Sequence, residues 1–84
     1  MDFSKFRRNR SQEDMNVVLW MEDDARHIIS IVRMGGGIFE VRGCDDAGCY
    51  AVQTNHPEPL MTKEFAIIQM KIAMGKKKRR RIKF

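Results

Sequence analysis

The 84-residue chain has only two prolines, two cysteines, one tryptophan and one tyrosine, and it has no long apolar run. The longest uninterrupted apolar stretch is residues 17–21, whereas a transmembrane helix needs about 20 such residues. The arginines near the N-terminus are not followed by an apolar segment, so we expect no secretory signal peptide. These absences predict an intracellular, cytoplasmic protein without a membrane span.

Catalytic motifs are also missing. The chain contains no H-E-x-x-H zinc motif, no phosphate-binding G-x-x-x-x-G-K motif and no serine or cysteine in a recognisable nucleophile setting. The acidic pairs at 23–24 and 45–46 fall in predicted turns, where aspartate is favoured for backbone reasons. We therefore expect a protein that is not an enzyme and that binds no cofactor.

The two cysteines, Cys44 and Cys49, flank a predicted turn with C-x4-C spacing. A zinc site would need two further ligands, and only His27 and His56 are available, which makes this pattern weak. A disulfide across the hairpin is geometrically compatible with the spacing. A reducing compartment instead favours free thiols that pack at the hairpin end, and we expect no metal site.

The chain is rich in positive charge at its two ends. The formal net charge is +5, yet residues 11–75 carry ten acidic against five basic side chains. Residues 1–10 carry four basic side chains and one acidic, and residues 76–84 carry seven basic and no acidic ones. The pattern predicts a basic N-terminal arm (1–10), one small domain (11–75) and a basic C-terminal tail (76–84).

Two segments in the first half of the domain are rich in β-branched residues, which favours strands at 16–21 and 27–34. The first of these is apolar at five successive positions, so we expect a strand that is buried on both faces. Helices are the alternatives, with Ser11 as the cap of the first and Asp24 as the cap of the second. The glycines at 35–37 predict a turn or loop after the second segment.

The second half of the domain predicts a β-hairpin and a helix. Polar and apolar residues alternate on both sides of a turn within residues 38–54, which is typical of a hairpin. Pro57 and Pro59 interrupt regular structure, and a helix is predicted to begin at the capping residue Thr62 and to end before Gly75. Its expected apolar face, at helical spacing, comprises Met61, Phe65, Ile68 and Ile72, widened by Ile67, Met70 and Met74.

These elements predict an α+β fold, in which an antiparallel β-meander of three or four strands is packed by one C-terminal helix. Flexible basic tails extend at both ends. The N-terminal segment is expected to fray, as chain ends usually do. Alternatively, Phe3 and Phe6 dock on the domain and position the neighbouring arginines.

Arg33 and Arg42 lie on neighbouring predicted strands. With Tyr50 or Phe39 they would form a sheet surface that faces nucleic acid. The favoured interpretation is cross-strand pairing at the surface with Glu40 and Glu22, which would contribute less than about 1 kcal/mol for each pair.

The basic tail favours contact with a polyanion, because each phosphate contact releases condensed counterions. We therefore expect an accessory protein that binds nucleic acid, DNA or RNA, or a protein complex associated with it. The predicted nucleic-acid-binding residues are Lys76, Lys77, Lys78, Arg79, Arg80, Arg81, Lys83 and Phe84, together with Arg7, Arg8 and Arg10.

The alternative function is a protein-binding inhibitor or adaptor, whose acidic domain docks on a basic surface of a larger enzyme. Small viral proteins that target host enzymes offer an analogy of size and economy, without a matched motif. The residues predicted to carry this function are Glu22, Asp23, Asp24, Asp45 and Asp46. A core of this size also makes a homodimer a reasonable expectation.

Overall fold

Each strand of the sheet pairs with the strand next to it in the sequence, so the topology is an antiparallel meander. The computed structural model describes the backbone of residues 1–82 and the side chains of residues 1–75. Its five strands are β1 (Arg7–Arg8), β2 (Val17–Glu22), β3 (Ile28–Gly35), β4 (Ile38–Asp45) and β5 (Gly48–Thr54), and they are followed by one helix, α1 (Lys63–Ile82). Short 3-10 turns occupy Phe3–Lys5, Arg10–Gln12 and Glu58–Leu60.

The predicted α+β architecture is confirmed, but the sheet has five strands instead of three or four. The additional strand, β1, lies in the segment expected to be a flexible arm. Arg7 and Arg8 pair with Glu22 and Met21 of β2. The preceding residue, Phe6, is completely buried. The alternative interpretation, in which the N-terminal segment docks on the domain, is therefore the correct one.

The helix α1 packs on one face of the sheet, which we call the closed face, over β3, β4 and β5. Within the part of the chain that the structure describes, no helix covers the other face. In β2, Leu19 and Met21 are fully buried on the closed face, whereas Val18 and Trp20 are half-buried. The expectation of a strand buried on both faces is wrong, because no second layer of the described residues packs on the opposite face. The buried apolar residues form one cluster: Phe6, Leu19, Met21, Ile29, Ile31, Phe39, Val41, Met61, Ala66, Met70 and Ala73.

The helix begins where the sequence predicts, since the Thr62 Oγ1 accepts a hydrogen bond from the Phe65 N–H at 3.2 Å. The predicted face is confirmed at Met70, while Ala66 and Ala73 are buried with it and were not predicted. Ile68 and Ile72 lie outside and are 55% and 44% exposed. Small alanines let the helix approach the sheet closely, which bulkier isoleucines in their place would prevent.

The close approach of α1 depends on Gly43 in β4. A Cβ added at Gly43 would overlap the Sδ of Met70, so the absence of a side chain makes room for this fully buried methionine. Met61 is buried as well, so the core contains two of the methionines near the helix.

The helix does not stop before Gly75 but continues to Ile82. The predicted end is wrong, since a glycine inside a helix costs only about 1 kcal/mol relative to alanine and need not terminate it. No helix in the described part of the chain is long and apolar enough to span a membrane.

Candidate binding surfaces

The C-terminal basic run begins directly after the part of α1 that packs on the sheet. The helical backbone continues through residues 76–82, while the predicted contacts fall on side chains beyond those described. The side chains of Lys76, Lys77, Lys78, Arg79, Arg80 and Arg81 are outside the described part, and Lys83 and Phe84 lie outside it entirely. The run therefore begins on a helix whose residues Met70 and Ala73 are buried in the core.

The N-terminal arginines are largely engaged within the fold. Arg7 forms an ion pair with Asp24 at 2.5 Å. Arg8 binds Glu13 through two nitrogen atoms, Nε at 2.7 Å and Nη2 at 2.8 Å. This contact lowers the pKa of the Glu13 carboxyl, whose Oε2 also accepts the backbone N–H of Trp20. Arg10 is exposed in the 3-10 turn that follows β1.

The five predicted acidic residues come together at one end of the sheet, which we call the acidic end: Glu22, Asp23, Asp24, Asp45 and Asp46. In an antiparallel meander, the β2–β3 and β4–β5 connections lie at the same end, and this brings the two aspartate pairs together. His27 links them. Its Nδ1 lies 2.9 Å from the Asp23 Oδ2, and its Nε2 lies 3.4 Å from the Asp46 Oδ1, within ion-pair distance but outside hydrogen-bond geometry.

Several of these carboxylates support the backbone. The Asp23 Oδ1 accepts the N–H groups of Ala25 and His27, at 3.0 and 2.9 Å. The Asp45 Oδ1 accepts the N–H of Ala47 at 2.9 Å. The side chains of Asp24 and Asp46 are 92% and 99% exposed, so these two are the most accessible of the carboxylates in ion pairs at this end.

The His27–Asp23 contact changes the pKa values of both groups. The hydrogen bond that the His27 ring donates to Asp23 raises the pKa of His27 above its ordinary value of 6.5, against the opposing effect of burial and with a further contribution from Asp46. Burial by itself would raise the pKa of Asp23, but hydrogen bonds from the backbone and ring of His27 outweigh it and lower that pKa. The protonated imidazolium is therefore favoured in the folded protein.

The two cysteines form a disulfide, so the expectation of free thiols is wrong. Cys44 on β4 lies directly opposite Cys49 on β5, and the strand register brings their side chains together. The bond closes the hairpin next to the acidic end. Within the described residues, no group of three or more His, Cys, Asp or Glu side chains is placed to hold a metal ion.

The predicted sheet surface of Arg33 and Arg42 with Phe39 does not form. Arg33 donates to Glu58 and to the Met15 carbonyl, and its guanidinium lies 5.3 Å from the Phe39 ring centroid. Arg42 donates to Glu40 on its own strand, so the predicted partner is present but the pair does not cross between strands. Arg33 pairs with neither predicted glutamate.

The uncovered face of the sheet, where Trp20 is half-buried, was not predicted from the sequence. The register places Trp20 opposite Ser30, and Ser30 opposite Arg42. Two adjoining depressions in this face, with volumes of about 280 and 220 Å³, share the lining residues Trp20, Arg26 and Ile28. We call them the open-face groove. The uniformly apolar run gave no signal for it, because only the structure shows that Leu19 and Met21 point inward and Trp20 therefore outward.

Comparison with known proteins identified no relative of this chain. The chain matches no family model, no curated protein sequence and no solved structure. Any functional inference therefore rests on the residues and their geometry.

Proposed function

We propose that this protein binds nucleic acid through the basic run at 76–83, which α1 extends from the folded domain. One observation supports this proposal above the others. The helix runs without interruption from its buried face at Ala66, Met70 and Ala73 to Ile82. The run therefore begins on an element that is fixed to the core.

The spacing of charge along this segment suits a polyanion. Six consecutive basic residues occupy residues 76–81. A helix rises about 1.5 Å per residue, so the sequence of this segment supplies one basic residue for each 1.5 Å of the helix axis. Duplex DNA carries about one negative charge for each 1.7 Å of its axis. The two charge densities match closely.

Repulsion within the run adds a second argument. Like charges three and four residues apart destabilise a helix, and every such pair within residues 76–81 is of like charge. Phosphates would neutralise these charges and relieve the repulsion. Binding should therefore strengthen the helix in this segment, while sequence preference would be weak because phosphates are the same at every base pair.

The proposal is tested by fluorescence anisotropy with a labelled duplex at several salt concentrations. The variant replaces Lys76, Lys77 and Lys78 with glutamine. We expect its affinity to fall and its logarithmic salt dependence to become shallower by up to about 3, since each lost phosphate contact removes about 0.9 from the slope.

A control removes two positive charges from the folded domain, through Lys5→Gln and Lys71→Gln, neither of which is among the predicted nucleic-acid-binding residues. This control should retain most of the affinity if the run is the binding element. Full affinity and an unchanged salt slope in the Lys76–Lys78 variant would show that the proposal is wrong.

The acidic end supports a second candidate function, the binding of a basic surface on another protein. The supporting observation is that one end of the sheet gathers acidic residues from two separate connections, with Asp24 and Asp46 highly exposed. Charge reversal at these two positions spares Asp23, which supports the backbone. Recovery of the same binding partners by the wild type and by an Asp24→Lys/Asp46→Lys variant would contradict this candidate.

A further inference from the structure

The open-face groove combines an aromatic ring with two cationic side chains on the uncovered face of the sheet. Each of its two depressions has further lining residues of its own. Gln12 and Glu22 complete the larger one, and Ser30, Arg42, Gly43 and Cys44 complete the smaller one. Two arginines, Arg26 and Arg42, line the groove, where Glu22 lies in the larger depression and Glu40 pairs with Arg42.

A row of side chains across three strands forms the smaller depression. Trp20 on β2 and Arg42 on β4 stand on either side of Ser30 on β3. Neighbouring strands lie about 4.8 Å apart, so the backbones of Trp20 and Arg42 are separated by about 10 Å. Ser30 is small and only 7% exposed, and it forms a low floor between two large side chains.

The indole of Trp20 is held in place before any ligand arrives. Its Nε1 donates to the Glu22 Oε1 at 3.0 Å, and the same oxygen accepts the Asn9 Nδ2 at 3.0 Å. Because the polar edge of the ring is already bonded, its aromatic face remains for stacking. A ring fixed in this way loses little side-chain entropy on binding.

The two arginines are positioned by different elements. Arg26 lies in the β2–β3 turn, where its N–H donates to the Asp23 carbonyl at 3.2 Å and its backbone has a positive φ of 68°. Arg42 projects from the middle of β4 and is held by Glu40. A planar aromatic ring flanked by cations is the combination that binds single-stranded nucleic acid, since bases stack on the ring and phosphates contact the cations.

We propose that the open-face groove binds single-stranded nucleic acid, with a base stacked on Trp20 and neighbouring phosphates bound by Arg26 and Arg42. The choice of nucleic acid as the ligand rests on the proposed function, although the groove shares no residue with the basic run. Double-stranded nucleic acid does not fit this site, because pairing and stacking conceal the faces of its bases.

The protein contains a single tryptophan, so its intrinsic fluorescence reports on the groove directly. We would titrate the full chain with a labelled 12-nucleotide single strand and with the matching duplex, and record anisotropy and tryptophan emission in the same samples. The single strand should quench Trp20 at saturation, whereas the duplex should bind without quenching.

Substitutions then test the residues of the groove. Trp20→Leu should weaken single-strand binding about tenfold, which corresponds to about 1.4 kcal/mol and lies within the range for one stacked base. Arg26→Gln should weaken it severalfold while leaving the Trp20 emission of the free protein unchanged. Lys5→Gln is the matched control, because it removes an exposed positive charge that does not line the groove. A thermal melt of each variant verifies that the fold is intact.

The outcomes separate this proposal from the one on the basic run. Rising anisotropy with unchanged Trp20 emission would overturn the groove proposal and leave the basic run in place. Quenching that persists in the Lys76–Lys78 variant would support the groove on its own. Absence of both signals would overturn both proposals. Equal quenching by a free nucleoside monophosphate, at the same nucleotide concentration, would overturn the single strand as the ligand.

Discussion

The two faces of this sheet differ although both are built from the same strands. On the closed face, alternate residues such as Leu19, Ile31 and Val41 are fully buried in the core that α1 and Phe6 complete. On the open face, their immediate neighbours Trp20 and Arg42 remain in contact with solvent. The buried side chains that stabilise this small domain therefore lie mainly on one face of the sheet, and the other face is available for binding groups.

The largest expected effect comes from removing the aromatic anchor of the closed face. Phe6 is completely buried and ties the N-terminal segment to the core. Phe6→Ala should lower the free energy of unfolding by about 3–5 kcal/mol, because it removes a large buried ring and leaves a cavity. Chemical denaturation measures this loss. Met15→Ala, at a side chain that is 83% exposed, should change stability by less than about 0.5 kcal/mol.

The difference between the two faces can be measured at adjacent residues of one strand, β3. Ile31 is fully buried on the closed face, and Val32 is half-buried on the open face. Ile31→Ala should cost about 3 kcal/mol and Val32→Ala about 1 kcal/mol or less, because the cavity term applies only where the surroundings are packed. Equal losses in urea denaturation would show that the open face is covered in solution.

The Cys44–Cys49 disulfide lies on the open face and is expected to raise the free energy of unfolding. Replacing Cys44 and Cys49 together with serine should lower the free energy of unfolding by about 2 kcal/mol, since the cross-link restricts the unfolded chain. Differential scanning calorimetry of the wild type with and without a reductant should give the same shift in melting temperature. A reductant that leaves the wild-type melt unchanged would contradict the presence of the bond.

A smaller effect is expected at the contact between Gly43 and Met70. Gly43→Ala should destabilise the protein by about 1 kcal/mol, because the new methyl group displaces the flexible end of Met70. Combining it with Met70→Ala should give less than the sum of the two single losses, since the shortened side chain vacates the space. Strict additivity in this double-mutant cycle would place the two residues out of contact.

The smallest expected effect is the dependence of stability on pH at the acidic end. The pKa of His27 is raised in the folded protein, so its contribution is fully present below the ordinary value of 6.5 and is lost as pH rises through the folded-state pKa. The lowered pKa of Asp23 affects the stability at acidic pH. Its contribution is present above the ordinary value of 3.8 and is lost as pH falls through the folded-state pKa.

Melting temperatures measured from pH 5 to pH 9 test the histidine contribution. The wild type should lose stability through the upper part of this range relative to a His27→Gln variant. Parallel curves for the two proteins would show that His27 is not linked to the fold through Asp23 and Asp46.

Much of the fold could be predicted from the sequence, because the relevant signals are local. The β-branched segments predicted β2 and β3, the alternation at 38–54 predicted the hairpin, and Thr62 predicted the start of the helix. Local sequence patterns did not predict the features that depend on contacts between residues distant in the chain. Phe6 belongs to the core only because the edge of β2 and the helix accept it.

The candidate surfaces were predictable to a lesser degree. Charge counts identified the acidic residues, but their gathering at one end followed from the order of strands in the sheet. The open-face groove was not foreseen, since an apolar run such as residues 17–21 does not state which of its faces will be covered. Trp20 is a surface residue because one helix cannot cover both sides of a sheet.

The sequence by itself determined the small size of the domain, the strands and helix in their order, and the division of charge between an acidic body and basic ends. These properties depend on composition and on the conformational preferences of neighbouring residues. Only the tertiary structure decided that the N-terminal segment is a strand, that Cys44 meets Cys49 and that Ala66, Met70 and Ala73 face the sheet. The physical reason is that each of these contacts is set by strand register and by close packing between residues distant in the chain.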